Sequence, residues 1–181
     1  DIGTGKDAIL ARLAIAAGAR KVYAIELLED VYHQACETVR RLGLDDRIHI
    51  LHGDARGITL PEPIDICVSE IVGAIGGSEG ARQIISEAWR FLKPDGIMIP
   101  SRSTTRIAAV ALPEQLANNP TFTAVSGHYV ERIFEQRGYR FDLRLCLRGM
   151  EKDHLRSTVG VYEDLDFSRP GDIEYQRDEV L

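Results

Sequence analysis

Two glutamates, Glu70 and Glu79, bracket the stretch "SEIVGAIGGSE", and everything between them is small or aliphatic. Paired carboxylates can hold a cation through charge-assisted hydrogen bonds, which are roughly twice as strong as neutral ones. Each glutamate also has an ordinary explanation. Glu70 at a strand terminus can simply be solvated, and Glu79 in the first turn of a helix complements the helix dipole by a few tenths to about 1 kcal/mol.

A second set of residues lies upstream. In "DIGTGKD", Gly3 and Gly5 sit where an apolar strand end turns into a helix. Glycines there let a ligand approach the backbone, and the free N–H groups of the next helix face it. A dinucleotide fingerprint would place its third glycine at Ala8, after Asp7, whose charge repels a pyrophosphate. A nucleoside without phosphates fits that turn better. Glu26 ends the next strand, about 20 residues on, where an acidic side chain accepts two ribose hydroxyls in nucleoside-binding sheets. Asp54 follows the third strand in "HGDA", at the edge where a nucleobase would lie, although an Asx turn accounts for it equally well. Three carboxyl-end features on three successive strands converge on one ligand.

The elements that must position these residues follow from periodicity. Ile9, Leu10, Leu13 and Ala17 stand at helical spacing over residues 7–17, and "KVYAIE" reads as a strand. A helix over 29–42 aligns Val31, Ala35, Val39 and Leu42, and Gly43 stops it. "IHIL" and "IDICVSE" are further strands. From Glu79 to Leu92 the apolar residues recur as an amphipathic helix demands, and "KPDG" then turns the chain into "IMIP". Alternation of strands and helices with short connections predicts an α/β fold, a doubly wound parallel sheet with ligands at the carboxyl ends of its strands.

After Pro100 the period changes. "RSTTRIAAVAL" reads as a strand, and Tyr139, Phe141, Leu143, Leu145 and Leu147 alternate with polar residues as in a half-buried antiparallel strand. A domain boundary is expected at Pro100–Arg102, giving domains 1–101 and 102–181, the second β-rich. The tail from Glu163 onward is expected to be exposed and irregular.

Bulk properties narrow the function classes. The 181 residues carry 22 basic and 28 acidic side chains, a net charge of −6, which disfavours sequence-independent nucleic-acid binding. No apolar run approaches the roughly 18 residues of a membrane span, and with "DIGTG" opening the sequence no targeting leader is expected. Cys36, Cys67 and Cys146 have no metal-ligand spacing, so reduced thiols, a cytoplasmic location and no metal are expected.

Taken together, "DIGTG…ARKVYAIE…HGDA…IDICVSE…E…LKPDGIMIP" resembles the class I S-adenosylmethionine-dependent methyltransferases and, within them, the protein arginine methyltransferases. The resemblance runs from Asp1 to about Arg106. It implies a Rossmann-like sheet followed by part of an antiparallel β domain, with S-adenosyl-L-methionine as cofactor. It further implies cofactor contacts from Asp1, Gly3, Gly5, Glu26, Gly53, Asp54, Ala55 and Glu70. Glu70 and Glu79 match the two glutamates with which that family grips a substrate guanidinium. A guanidinium stays protonated, so two carboxylates must hold it and concentrate its charge away from the attacking nitrogen.

The chain departs from that family in three respects. The first strand and the aromatic helix that covers the cofactor would have to precede Asp1. Residues 71–78 lack the aromatic and methionine lining of the family's loop, and the family's His-Trp loop has no match. A protein or peptide arginine is the expected substrate, with a homodimer as the expected assembly and no nucleic-acid or membrane partner. The alternatives are N- or O-methylation of a small molecule or natural product, with a small cationic molecule as the partner, and a truncated, non-catalytic cofactor-binding homologue. A nicotinamide dehydrogenase is disfavoured by the missing third glycine and by the Glu70/Glu79 pair.

Overall fold

A computed structural model describes residues 1–73, 75–77, 80–118, 121–140 and 150–171. The chain forms two units, Asp1–Arg106 with Val161–Glu179, and Ile107–Gly160 with Val180–Leu181. In the first unit, β1 (Val22–Glu26) runs parallel to β2 (Ile48–His52), with Val22 opposite Ile48 and Glu26 opposite His52. β3 (Ile64–Val68) runs parallel to β4 (Leu92–Ile99).

Asp1 and Ile2 join the two pairs. Ile2 N–H donates to Val68 (2.9 Å), Gly3 N–H to Ile25 (2.9 Å), and Ile25 N–H to Asp1 (2.8 Å). Ile2 thus bridges Ile25 on one side and Ser69 on the other, both in parallel sense. The resulting order, β2, β1, Asp1–Ile2, β3, β4, is that of the expected parallel sheet. Its centre is the two residues that precede the Gly turn.

Helices cover both faces because strand side chains alternate. α1 (Ile9–Ala16) and α2 (Glu29–Arg41) pack Ala8, Ala11, Ile15 and Val39 against Val22, Ala24 and Ile48. On the other face α3 (Ala81–Ala88) buries Ala81, Ile85 and Ala88 against Ile25, Cys67 and Met98. α2 carries Glu29 and Asp30 in its first turn and Arg40 and Arg41 in its last, matching the helix dipole at both ends.

Three segments of this unit differ from the sequence expectation. The helix expected to reach Leu92 ends at Ala88, a single 3-10 turn follows at Trp89–Phe91, and Leu92 opens β4. "KPDG" lies within β4, yet Ile64 faces Leu92 while Ile66 faces Ile97, so Lys93–Gly96 stand opposite the single residue Asp65 and bulge from the ladder. Gly96 is required there, since a Cβ would come within 2.7 Å of the Leu92 side chain. The tail from Glu163, expected to be irregular, continues β6 (Gly160–Asp166) and adds Leu165 (1% exposed) and Phe167 (2%) to the α3-side core. β6 pairs with β5 (Arg102–Ile107), where the Arg102 guanidinium holds Asp164. Acidic residues at 163, 164 and 166 disguise a strand whose inward row is Val161, Glu163, Leu165 and Phe167.

The second unit contains α4 (Glu114–Asn118) and α5 (Ala124–Arg137), neither anticipated from the sequence. α5 is nevertheless punctuated at both ends. Thr123 Oγ1 accepts the Ser126 N–H (3.2 Å), and Gly138 closes the helix in the left-handed conformation. Val110 and Leu155 form an antiparallel bridge. The strand expected through Leu147 lies, from Phe141 onward, outside the described residues.

Candidate functional site

The Gly turn is built by its own backbone. Gly3 and Gly5 have φ values of 75° and 64°, in the left-handed region that other residues enter at a cost of roughly 1–2 kcal/mol. Ala8 shares that conformation (φ 45°) at the position of the missing third glycine, and it is fully buried against β1. The backbone there keeps the geometry of a nucleotide-binding turn, and the alanine methyl fits the close helix–strand packing that the third glycine ordinarily permits.

Asp1 braces the turn from below. Its Oδ2 accepts from Thr4 Oγ1 (2.7 Å) and from the Ala11 N–H in the first turn of α1 (3.2 Å). The carboxylate therefore caps a helix whose own N-cap residue, Ala8, offers no side-chain acceptor. Asp1 is 7% exposed, and its Oδ1 finds no partner among the described residues. Ser69 Oγ, 4% exposed on the neighbouring strand end, is likewise without a partner. Buried unpaired oxygens are costly in a finished structure, so this pair marks capacity for a polar ligand.

Glu26 closes the other side. It is 7% exposed, and its two oxygens accept the Gly5 N–H and the Leu28 N–H, each at 3.0 Å. Each carboxylate oxygen has a further lone pair, so two more donors, such as vicinal hydroxyls, can be taken. Leu27 and Leu28 follow it with exposed apolar side chains. Gly53, with φ 142°, donates its N–H to the Glu26 carbonyl (2.9 Å).

Asp54 forms an Asx turn whose Oδ1 accepts the Arg56 N–H (2.9 Å), and the Arg56 guanidinium grips both carboxylate oxygens. Those hydrogen bonds hold its pKa down at about 2. Arg90, which the sequence did not single out, donates to the carbonyls of Ala55 and Ile58, each at 2.7 Å, and stitches this loop to the short turn after α3. A contact across that sequence separation has no local signal.

Glu70 follows β3 and is exposed, with no hydrogen bond or ion pair to another described residue. Its neighbour Ile71 crosses directly over the Gly turn, since a Cβ on Gly3 would stand 3.1 Å from Ile71 Cγ2. The structure therefore gathers Asp1, Gly3, Gly5, Glu26 and the start of the Glu70 loop at one end of the sheet. Gly53–Ala55 follow the adjacent strand. Glu79 lies outside the described residues, as do Ala74 and Ser78. Beyond Glu70, Gly76 N–H donates to Thr105 Oγ1 (2.9 Å) and Gly77 N–H to Glu163 Oε2 (2.8 Å).

An open parallel sheet with a Gly turn and an acidic residue at successive strand ends defines a nucleoside-binding domain. Comparison with known proteins refines this. A "Methyltransferase domain" matches residues 1–96, more than half of the chain, and the chain belongs to that family. It is 32% identical over 123 residues to probable protein arginine N-methyltransferase 6 of Arabidopsis thaliana, covering 67% of this chain. To protein arginine N-methyltransferase PRMT10 of the same plant it is 38% identical over 111 residues, or 61% of this chain. The chain spans 28% of the length of each of these relatives. In fold it superposes on the Trypanosoma brucei PRMT1 enzyme-prozyme heterotetrameric complex with AdoHcy, with a TM-score of 0.67 and 23% identity. That likeness covers 92% of this chain and 51% of the other.

Proposed function

We propose that this chain is the S-adenosyl-L-methionine-binding portion of a protein arginine methyltransferase, transferring a methyl group to a guanidinium nitrogen. The observation that carries the reading is the approach of Ile71 to Gly3, which sets the Glu70 loop over the Gly turn. The named relatives in Arabidopsis support the substrate class, and the AdoHcy-bound trypanosome enzyme supports the cofactor.

The residues present fit that cofactor. Its sulfonium supplies an electrophilic methyl group when bound. Glu26 would accept the ribose hydroxyls through its remaining lone pairs, and the unpartnered Asp1 Oδ1 would accept from the cofactor's ammonium. Gly3 and Gly5 admit the ligand to the backbone, and Gly53, Asp54 and Ala55 border the base. Glu70 and Glu79 hold the guanidinium by charge-assisted hydrogen bonds and draw its positive charge onto the nitrogens they contact, leaving the third nitrogen electron-rich. The proton released as that nitrogen is alkylated passes to a glutamate carboxylate or to water. Since bond making needs little else, positioning and electrostatics carry the acceleration. The protein acts in the cytoplasm and pairs as a homodimer.

Glu70→Gln removes the charge but keeps the shape. It is expected to abolish methyl transfer from labelled donor to an Arg-rich peptide while leaving cofactor affinity by calorimetry within about twofold. Retained turnover would remove Glu70 from the mechanism. A second reading, methylation of a small cationic molecule, is favoured by the loop's lack of aromatic lining between Glu70 and Glu79. The same labelled donor offered with small amines separates the two.

A further inference from the structure

The Glu70–Glu79 loop is anchored from a distant part of the sequence. On β6 the inward row runs Val161, Glu163, Leu165, Phe167, and its last two members lie in the core. A carboxylate on such a row is unfavourable unless its oxygens are hydrogen-bonded. Glu163 Oε2 meets that need with the Gly77 N–H at 2.8 Å, while Thr105 Oγ1 on β5 takes the Gly76 N–H at 2.9 Å. Two successive amides of the loop are thus held by side chains from two paired strands.

The approach is close. A Cβ on Gly77 would stand 2.6 Å from Glu163 Oε1, and one on Gly76 would stand 2.5 Å from Ser103 Oγ. A side chain at Gly77 would displace the Glu163 carboxylate, and one at Gly76 would displace Ser103. We infer that Glu163 is a positioning residue for the substrate clamp, fixing the loop that follows Glu70 through the Gly77 amide. The inference rests on the proposed role of Glu70 and Glu79, and it explains why this loop carries "GG" where an aromatic lining is otherwise expected. Glu163 itself touches no reacting atom in this scheme. Its effect passes through the backbone, where a displacement of about 1 Å can cost around 100-fold in rate.

The test uses the full-length protein and three variants, Glu163→Ala, Glu163→Gln and Thr105→Val, with two readouts. Amide hydrogen exchange at Gly77 is expected to accelerate about tenfold or more in Glu163→Ala, as loss of a hydrogen bond to a charged acceptor implies, and to stay within about threefold in Glu163→Gln, whose side-chain oxygen still accepts. kcat/KM for an Arg-rich peptide is expected to fall about 10- to 100-fold in Glu163→Ala, with rescue in Glu163→Gln and unchanged cofactor affinity. Thr105→Val is expected to accelerate exchange at Gly76. Unchanged Gly77 exchange in Glu163→Ala overturns the inference, and so does a Glu163→Gln protein that behaves like Glu163→Ala. If the unaltered protein transfers no methyl to the peptide, the substrate reading fails on its own, while the exchange arm still decides the anchor.

Discussion

At the scale of single residues, the acids at the sheet edge are shared between structure and chemistry. Asp54 is the plainest case. Arg56 holds it as an anion with a pKa of about 2, below the ordinary carboxylate value near 3.9. The depressed folded value means that the pair contributes stability above about pH 4 and loses it as the pH falls through about 2. The pair is half-exposed, so the contribution is of order 0.2–1 kcal/mol. Arg56→Ala is therefore expected to return the Asp54 carboxyl pKa to near 4, read by carbon NMR, and to lower stability at pH 7 but not below pH 2. An Asp54 pKa that stays near 2 in that variant would assign the shift to something other than Arg56. The sequence placed Asp1, Glu26 and Asp54 at strand ends because strand ends are local. It could not foresee that Asp1 caps α1 or that Arg90 holds the Ala55–Ile58 loop, since neither contact follows from spacing along the chain.

Elements decide what the turn and the loop do to each other. Gly3 and Gly5 share a left-handed backbone, yet their surroundings differ. A Cβ on Gly5 meets nothing within 4 Å, whereas one on Gly3 presses on Ile71. Gly5→Ala and Gly3→Ala should both destabilise the protein by roughly 1–2 kcal/mol from backbone strain. Both should lower methyl transfer, since either Cβ intrudes on the ligand's approach to the backbone, but only Gly3→Ala should also displace Ile71 and the adjoining Glu70, and so lose more turnover. Denaturant titrations paired with turnover assays give the comparison, and equal loss of turnover in both variants would uncouple the loop from the turn. The periods of α1, α2 and α3 were legible because each helix buries one face, and β1 to β3 because they are short apolar runs bounded by turn residues. α5 buries none of its residues and was missed, although Thr123, Gly138 and the spacing of Val125, Tyr129 and Ile133 mark it. β6 was missed because its acidic residues masked a period of two.

For the molecule as a whole, the first unit is discontinuous in sequence. Its α3-side core is completed by Leu165 and Phe167, and the Trp89 indole N–H donates to the Phe167 carbonyl (3.2 Å). Trp89 is the only tryptophan, so its fluorescence reports this unit and no other. Phe167→Ala is expected to lower the stability of the unit by about 3–5 kcal/mol, as a cavity at a buried aromatic does, and to shift Trp89 emission to the red. A change under about 1 kcal/mol would show that the returning strand is an ornament to a core that closes without it.

The return of β6 also sets a schedule. A ribosome adding about 5–20 residues per second delivers Leu165 and Phe167 several seconds after Arg106. Throughout that interval Ile85, Phe91 and Met98 have emerged without the side chains that later cover them. The nascent chain must carry an open apolar face while the whole of Ile107–Gly160 is made, which makes this the stage at which chaperones have most to hold and self-association has most to exploit.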